Sequence, residues 1–328
     1  MKIRKHVLGL TILLIVLLIG CSRAAKEVDE PIAAEPGSLK GKVAFVSTRG
    51  DIRSGACVIN ADGTGLKRVT EKANITRIAW SPDGEALLFD AADDEDTKTA
   101  AIYLYRNGTT DVVVKRANET CNGALWHPSG KKIYYSRSKD GTRTEFVELD
   151  LAAKTERVIK RFDTPIFASI SPDGKRIAFS ISTGEGRYVK EEDIFIMDAN
   201  GTNVKNITSR WRKNWSDWSP AWSPDGKKIA FMSTQNGAPN IYIMDADGRN
   251  RRRITENKHE GFLPCWSPDG TKIAYTAALS WYEGDKYFEK MELFVIDIET
   301  LKVWQLTKAA KSKLGRGLTL DTSPVWTD

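Results

Sequence analysis

Trp222-Ser-Pro-Asp-Gly226, followed by Lys-Lys-Ile-Ala-Phe-Met232, decides the fold. Pro fixes φ at one turn position, Asp closes an Asx-type bond, and Gly takes the positive φ that lets the next strand reverse. The motif recurs as Trp80-Ser-Pro-Asp-Gly84, Trp126-His-Pro-Ser-Gly130, Ile170-Ser-Pro-Asp-Gly174 and Trp266-Ser-Pro-Asp-Gly270, so five copies stand at spacings of 46, 44, 52 and 44 residues. Periods near this length mean propeller blades. After each copy comes a short β run, then a second, such as Ile194-Phe-Ile-Met-Asp198 or Ile241-Tyr-Ile-Met-Asp245. An Asn-Gly or Asp-Gly turn and a final run ending near Thr complete the unit, as in Arg252-Arg-Ile-Thr255. Each unit supplies four antiparallel strands. The Trp ending each first strand is expected to pack between neighbouring sheets.

The ends of the sequence complete the count. Ser323-Pro-Val-Trp-Thr-Asp328 reads as a first strand whose turn is missing, and Gly41-Lys-Val-Ala-Phe-Val46 as a second strand with no first. The expected fold is therefore all-β: a six-bladed propeller of four-stranded antiparallel blades over residues 40–328, about 48 residues per blade. The C-terminal strand closes the ring by joining the N-terminal blade, which leaves no exposed inner edge.

Residues 1–20 precede Cys21 and read as an export signal: a basic start, then an apolar run from Val7 to Ile19. That run has 13 residues, short of the ~20 needed to span a bilayer as a helix. Residues 21–39 are small, charged and proline-containing, which marks a flexible tether. Leu18-Ile19-Gly20-Cys21 resembles the lipobox of bacterial lipoproteins. The resemblance implies cleavage before Cys21 and acylation there, so the membrane is met through the lipid anchor only. Ser22, where inner-membrane lipoproteins often carry Asp, implies an outer membrane facing the periplasm, or the outer face of the plasma membrane in a single-membrane cell.

The 328 residues are 41% hydrophobic and 28% charged, a globular composition that excludes disorder and collagen-like order. The formal charge is +6, and losing Lys2, Arg4 and Lys5 with the signal leaves +3. That excess is too small, and too little interleaved with stacking aromatics, for nucleic acid to be a partner. Cys57, Cys121 and Cys265 are odd in number and read as small buried hydrophobes.

The Ser-Pro-Asp-Gly bends and the Asp-Gly turns should share one face of the disc. The connections between strands two and three, and between blades, should share the other. The second set is long and varied, which is where recognition belongs. Its contributors are Ser209 to Trp218, His259 to Phe262, Ala277 to Met291, Gly184 to Glu192 and Lys311 to Asp321, all read as connecting loops. Trp211, Trp215, Trp218, Trp281, Tyr282 and Tyr287, beside Arg210, Arg212 and Asp217, suit a protein hot spot or a sugar-stacking platform. By register, Asn74, Arg77, Asn122, Asp217, Glu260 and Asp321 should lie near the mouth of the central channel. The candidate binding set joins Arg210, Trp211, Arg212, Trp215, Asp217, Trp218, His259, Glu260, Trp281, Tyr282, Asp321 and Arg77.

The unit W-S-P-D-G-x-x-I-A-F, then I-Y-x-M-D-A-D-G and R-R-I-T, resembles the six-bladed propeller of the TolB family, over roughly residues 40–328. The resemblance implies a non-catalytic propeller that binds another envelope protein or peptide, acting as a monomer. The short tether and lipobox depart from that family, whose propeller follows an α/β domain. Related propellers include oligogalacturonate lyases, so a glycan ligand or lyase-like chemistry is the alternative. Only three histidines are present: His6 in the signal, His127 in a turn motif, and His259. One histidine beside carboxylates makes a poor transition-metal site. The acidic spacing of residues 198–201 and 245–248 is that of calcium loops without their later ligands, so no cofactor is expected and calcium is the one alternative. No Gly-x-Ser-x-Gly nucleophile motif is present.

Overall fold

The computed structural model describes residues 39–49, 54–70, 72, 74–92, 99–139, 143–182, 192–209, 215–256, 260–283, 286–308 and 320–328, with only the strand course given for 280–289. Residues 1–38, with the signal segment, Cys21 and all of the tether but its last residue, lie outside the described residues; that last residue, Leu39, read as tether, is instead buried between blades one and six.

Six four-stranded antiparallel sheets stand in a ring. Blade one is composite: Lys42–Ser47, Gly55–Asn60 and Lys67–Arg68 are completed on the inside by Asp321–Thr327. Blade two holds Ile75–Trp80, Ala86–Ala92, Ala100–Arg106 and Thr109–Val114; blade three holds Thr120–Trp126, Lys132–Ser138, Thr144–Asp150 and Thr155–Phe162. Blade four runs Phe167–Ile170, Arg176–Ser182, Glu192–Asp198 and Lys205–Asn206. Blade five runs Asp217–Trp222, Lys228–Ser233, Asn240–Asp245 and Arg252–Arg253. Blade six runs Glu260–Trp266, Lys272–Glu283, Lys286–Asp297 and Val303–Gln305. The strand order and the C-terminal closure are those the repeat predicts.

The core is divided among the joints. Each of six apolar clusters draws on two neighbouring blades, as where Val43, Phe45 and Ile59 of blade one meet Ala274, Leu293 and Val295 of blade six. The strand-ending tryptophans pin the joints. Trp80 Nε1 donates to the Val325 carbonyl at 3.2 Å and Trp266 Nε1 to the Ala221 carbonyl at 3.0 Å, each reaching the residue before the tryptophan of the preceding blade. Trp326 Nε1 donates instead to the Lys40 carbonyl at 3.0 Å, so the described chain begins beside the strand that ends it. Cys57 and Cys121 are buried in these clusters; Cys265 is half-buried and its Sγ accepts the Trp326 N–H at 3.2 Å. Burial pushes the Cys121 and Cys265 thiols up to about 12 and raises Cys57 as well.

The turns behave as their residue types require. In blades four, five and six the Ser hydroxyl bonds the turn Asp at 2.5–2.6 Å and accepts the N–H two residues beyond the Gly, and the Asp accepts the N–H one residue beyond it. Gly84, Gly130, Gly174, Gly226 and Gly270 sit at φ 67–71°. In blade three the roles are exchanged: His127 Nδ1 accepts the Ser129 N–H at 3.1 Å and lies 2.8 Å from its hydroxyl. The Thr closing each outer run is explained too, since Thr208, Thr255 and Thr307 accept the backbone N–H of Ile194, Ile241 and Leu293 at 2.9–3.0 Å.

Two features depart from the sequence reading. Residues Ala277 to Met291, read as a connecting loop, are the extended arms of the blade-six hairpin, whose strands run 12 residues each against six or seven in the second strands elsewhere. Pairing continues through Trp281 with Phe288 and Tyr282 with Tyr287 to Glu283 with Lys286. Aromatic residues favour strands and pair across them, and Gly284-Asp285 is a two-residue hairpin sequence. The second departure is a bulge inside five innermost strands, in blade two between Ile75 and Arg77 and in the other four at a residue of positive φ. Gly123, Ser219, Leu263 and Ser323 take φ of 51–65°, and the register shifts around each. A straight-strand register therefore misassigns which neighbours point to the axis.

Candidate channel mouth and loop face

At the end of the strands opposite the Ser-Pro-Asp-Gly turns, two innermost strands open with an aspartate, Asp217 and Asp321, both fully buried. Burial of a carboxylate demands a partner, and each has one. Arg251 grips Asp217 with two bonds of 2.9 and 2.7 Å, donates to Ser233 Oγ at 2.6 Å, and lies 4.8 and 4.9 Å from the ring centroids of Phe231 and Tyr242. Asp321 accepts Ser47 Oγ at 2.6 Å and the Arg49 guanidinium through Nε and Nη2. Arg49 also donates to the Lys308 carbonyl at 2.6 Å, tying the C-terminal strand to blades one and six. Both carboxylates, predicted from register to face the channel mouth, are engaged inside the protein.

Arg77 is placed differently. Its side chain leaves blade two, passes blade three at Gly123, where a Cβ would lie 3.5 Å from its guanidinium, and ends with Cζ 4.6 Å from the Phe167 ring centroid of blade four. Burial lowers its pKa, opposed by the charge of Asp90. Asp90 accepts the Thr76 hydroxyl and, at 3.2 Å, the Gly123 N–H. Burial raises its carboxyl to about 6 against the pull of Thr76 and Arg77.

The other predicted residues spread along this face. Trp215 is half-buried with its indole N–H unpartnered among the described residues, and Trp218 is half-buried opposite Met232. Glu260 opens the blade-six strand opposite Ala278. Trp281 and Tyr282 belong to strands of the long hairpin. Asn74 takes φ 59° just before the blade-two strand, and Asn122 is exposed. Arg210, Trp211, Arg212 and His259 lie outside the described residues, as do residues 184–191 and 311–319. Leu320, just before the closing strand, pairs with Met291 of the hairpin in a parallel bridge. Register alone did not indicate Arg49, Arg251, Asp90 or Phe167. Their role depends on partners tens to hundreds of residues away, which no local pattern announces.

Among the described residues no three His, Cys, Asp or Glu side chains group as metal ligands would. Asp198 and Asp245, in the loops with calcium-like spacing, bond Asn203 at 2.6 Å and Asn250 at 2.5 Å.

Residues 107–310 match the family model of the TolB beta propeller domain. The chain is similar to the Tol-Pal system protein TolB of Thioalkalivibrio sulfidiphilus, 37% identical over 82 residues, which are 24% of this chain and 17% of that protein. It is similar to the Tol-Pal system protein TolB of Francisella tularensis subsp. tularensis, 28% identical over 138 residues, 42% of this chain and 30% of that protein. The matched segments thus span less than a third of either relative. The crystal structure of TolB from Acinetobacter baumannii aligns with a TM-score of 0.66 at 22% identity, covering 89% of this chain and 67% of that one, a likeness of fold.

Proposed function

Because the chain belongs to the TolB beta propeller family, we propose that it is a lipid-anchored protein of the cell envelope whose propeller, without catalysis, captures another envelope protein through its loop face and channel mouth. The match over residues 107–310 carries this reading. Relatives named as parts of a Tol-Pal system support a protein partner. The export signal at 1–20, the acylated Cys21 and the tether at 21–39 supply the address and the reach. On the loop face, Trp215, Trp218 and the aromatic hairpin provide the large amphipathic groups that anchor protein interfaces. The hairpin arms continue about five residues past the neighbouring strands, some 17 Å at strand rise.

A photoreactive residue at Trp218, crosslinked in the native envelope and followed by mass spectrometry, tests the reading. A discrete protein adduct is the expected result. Saccharide adducts alone, or none, would defeat it. Separately, Cys21→Ser should remove the lipid mass and move the chain from the membrane to the soluble fraction; an unchanged distribution would overturn the anchor.

A further inference from the structure

Three residues before Trp80, Trp126, Ile170, Trp222, Trp266 and Trp326 on the innermost strands stand Arg77, Gly123, Phe167, Ser219, Leu263 and Ser323, one from each blade. Arg77 is the single charged residue of this layer. Three other largely buried arginines meet carboxylates: Arg49 with Asp321, Arg137 with Glu145 and Glu156, Arg251 with Asp217. Arg77 makes no ion pair or hydrogen bond among the described residues and rests only on the Phe167 ring. The carboxylate that acts on it, Asp90, is already held by Thr76 and Gly123. A guanidinium has five N–H donors in a planar fork, and stacking on an aromatic ring leaves that fork's edge free for a bidentate acceptor. Opposite Phe167 in register stands Ser180, 1% exposed, whose hydroxyl has no partner among the described residues.

We propose that the channel holds a receptor for a carboxylate group, with Phe167 as its platform and the Arg77 fork as its grip. A carboxylate fits better than a cation or a neutral sugar because the layer carries a lone positive charge and no free anion. The source is a peptide C-terminus or an acidic side chain, and here the inference rests on the partner-binding reading. Asp90 sets a pH dependence. Arg77 is the one charged group acting on it, while Thr76 from its own blade and Gly123 from blade three contribute hydrogen bonds. Below about pH 6 Asp90 is neutral, its repulsion of an incoming carboxylate disappears, and the ligand, with a pKa near 4, is still ionised.

The full chain, with 15N-labelled arginine, is titrated with N-acetylalanine, N-acetylglutamic acid α-amide and N-acetylalanine amide while the Arg77 Nε–Hε resonance, identified by its loss in Arg77→Lys, is followed. A saturable shift is expected with at least one of the two acids, and the stronger acid reports the source. The shift should be absent with the amide, lost in Phe167→Ala, and reached at about threefold lower concentration at pH 5.5 than at pH 7.5. No saturable shift below 20 mM, or an equal response to the amide, overturns the proposal. Should Phe167→Ala fail to fold, thermal protection by the acids is compared between the wild type and Arg77→Gln, and equal protection overturns it likewise. Crosslinking at Trp218 is read independently: success there with failure here discards the carboxylate receptor and keeps the partner-binding reading, and the reverse keeps the receptor alone.

Discussion

The two faces of the disc are built on opposite terms. On the turn face, one set of hydrogen bonds is written repeatedly, and every Asp, Ser and Gly of the motif has a structural post. On the loop face the described connections differ: blade five closes its second strand with a short turn at Thr234 to Gly237, while blade six extends a hairpin of two twelve-residue strands. Uniform chemistry fixes geometry, and variation is left where the geometry is already fixed. The same contrast separates charges. Asp217 and Asp321 are each gripped by an arginine inside the protein, while Arg77 has no ion pair or hydrogen bond among the described residues.

Removing residues 321–328 attacks what both faces share. The deletion takes the inner strand of blade one, the Asp321 ion pair and the Trp326 joint together, so no cooperative melting transition should survive in calorimetry. A wild-type-like melt would mean that the ring does not need its closure. Next in size is Asp217→Ala, which leaves a buried Arg251 unpaired and should cost about 3–5 kcal/mol in denaturant unfolding. Arg77→Gln, by contrast, should cost clearly less than Asp217→Ala, because it breaks no hydrogen bond and removes only the charge that acts on Asp90. Equal losses would erase the distinction between structural and available charge.

Two glycines separate the faces. At Gly248, φ 90°, a Cβ would run into the Ile207 carbonyl oxygen of the preceding blade, so Gly248→Ala should lose roughly 3 kcal/mol. Gly237 on the loop face, φ 86°, has nothing within 4 Å, and Gly237→Ala should lose only the backbone term, about 1 kcal/mol. Trp218→Ala should also cost only about 1 kcal/mol while removing partner capture; a collapse of the fold would reassign the loop-face aromatics to structure. The smallest effect concerns acid. Hydrogen bonds from the neighbouring serines, then from backbone N–H groups, hold Asp83, Asp173 and Asp225 below the usual carboxylate range. Their folded pKa values are depressed, so their contribution is present above about pH 4 and is lost as pH falls through the folded values. Replacing Ser81, Ser171 and Ser223 by Ala should flatten the dependence of melting temperature on pH below 4, and an unaltered slope would place the acid sensitivity elsewhere.

The turn face was legible because its information is local: Ser, Pro, Asp and Gly act on one another within five residues. The closure was legible because a first strand without its turn at one end matched a second strand without a first at the other. The hairpin is not legible from aromatic density in Ala277 to Met291, which also suits recognition, although a Gly-Asp pair between aromatic runs is also a hairpin signal. Four of the five bulges are marked by Gly123 and by the Ser-Pro and Leu-Pro pairs at 219, 263 and 323, a signal that a straight-strand register ignores. The bonds from Arg251 to Asp217 and from Arg49 to Asp321 span 34 and 272 residues, and no local pattern announces them. Arg77 was placed near the axis by register, but that it lies across blade three onto Phe167 follows only from the curvature of the ring.

The bond from Trp326 to the Lys40 carbonyl has a mechanical side. It stands at the turn-face end of the closing strand, so any pull on the N-terminal segment reaches the disc there, at its back. The load then passes directly into the strand that locks the circle. With Cys21 fixed to a bilayer, the 17 residues from Ser22 to Ser38 could extend at most about 60 Å, and the propeller would be leashed like a dish turned outward, its open side presented to whatever approaches from the opposite direction. Tension on such a leash would load the clasp before any blade.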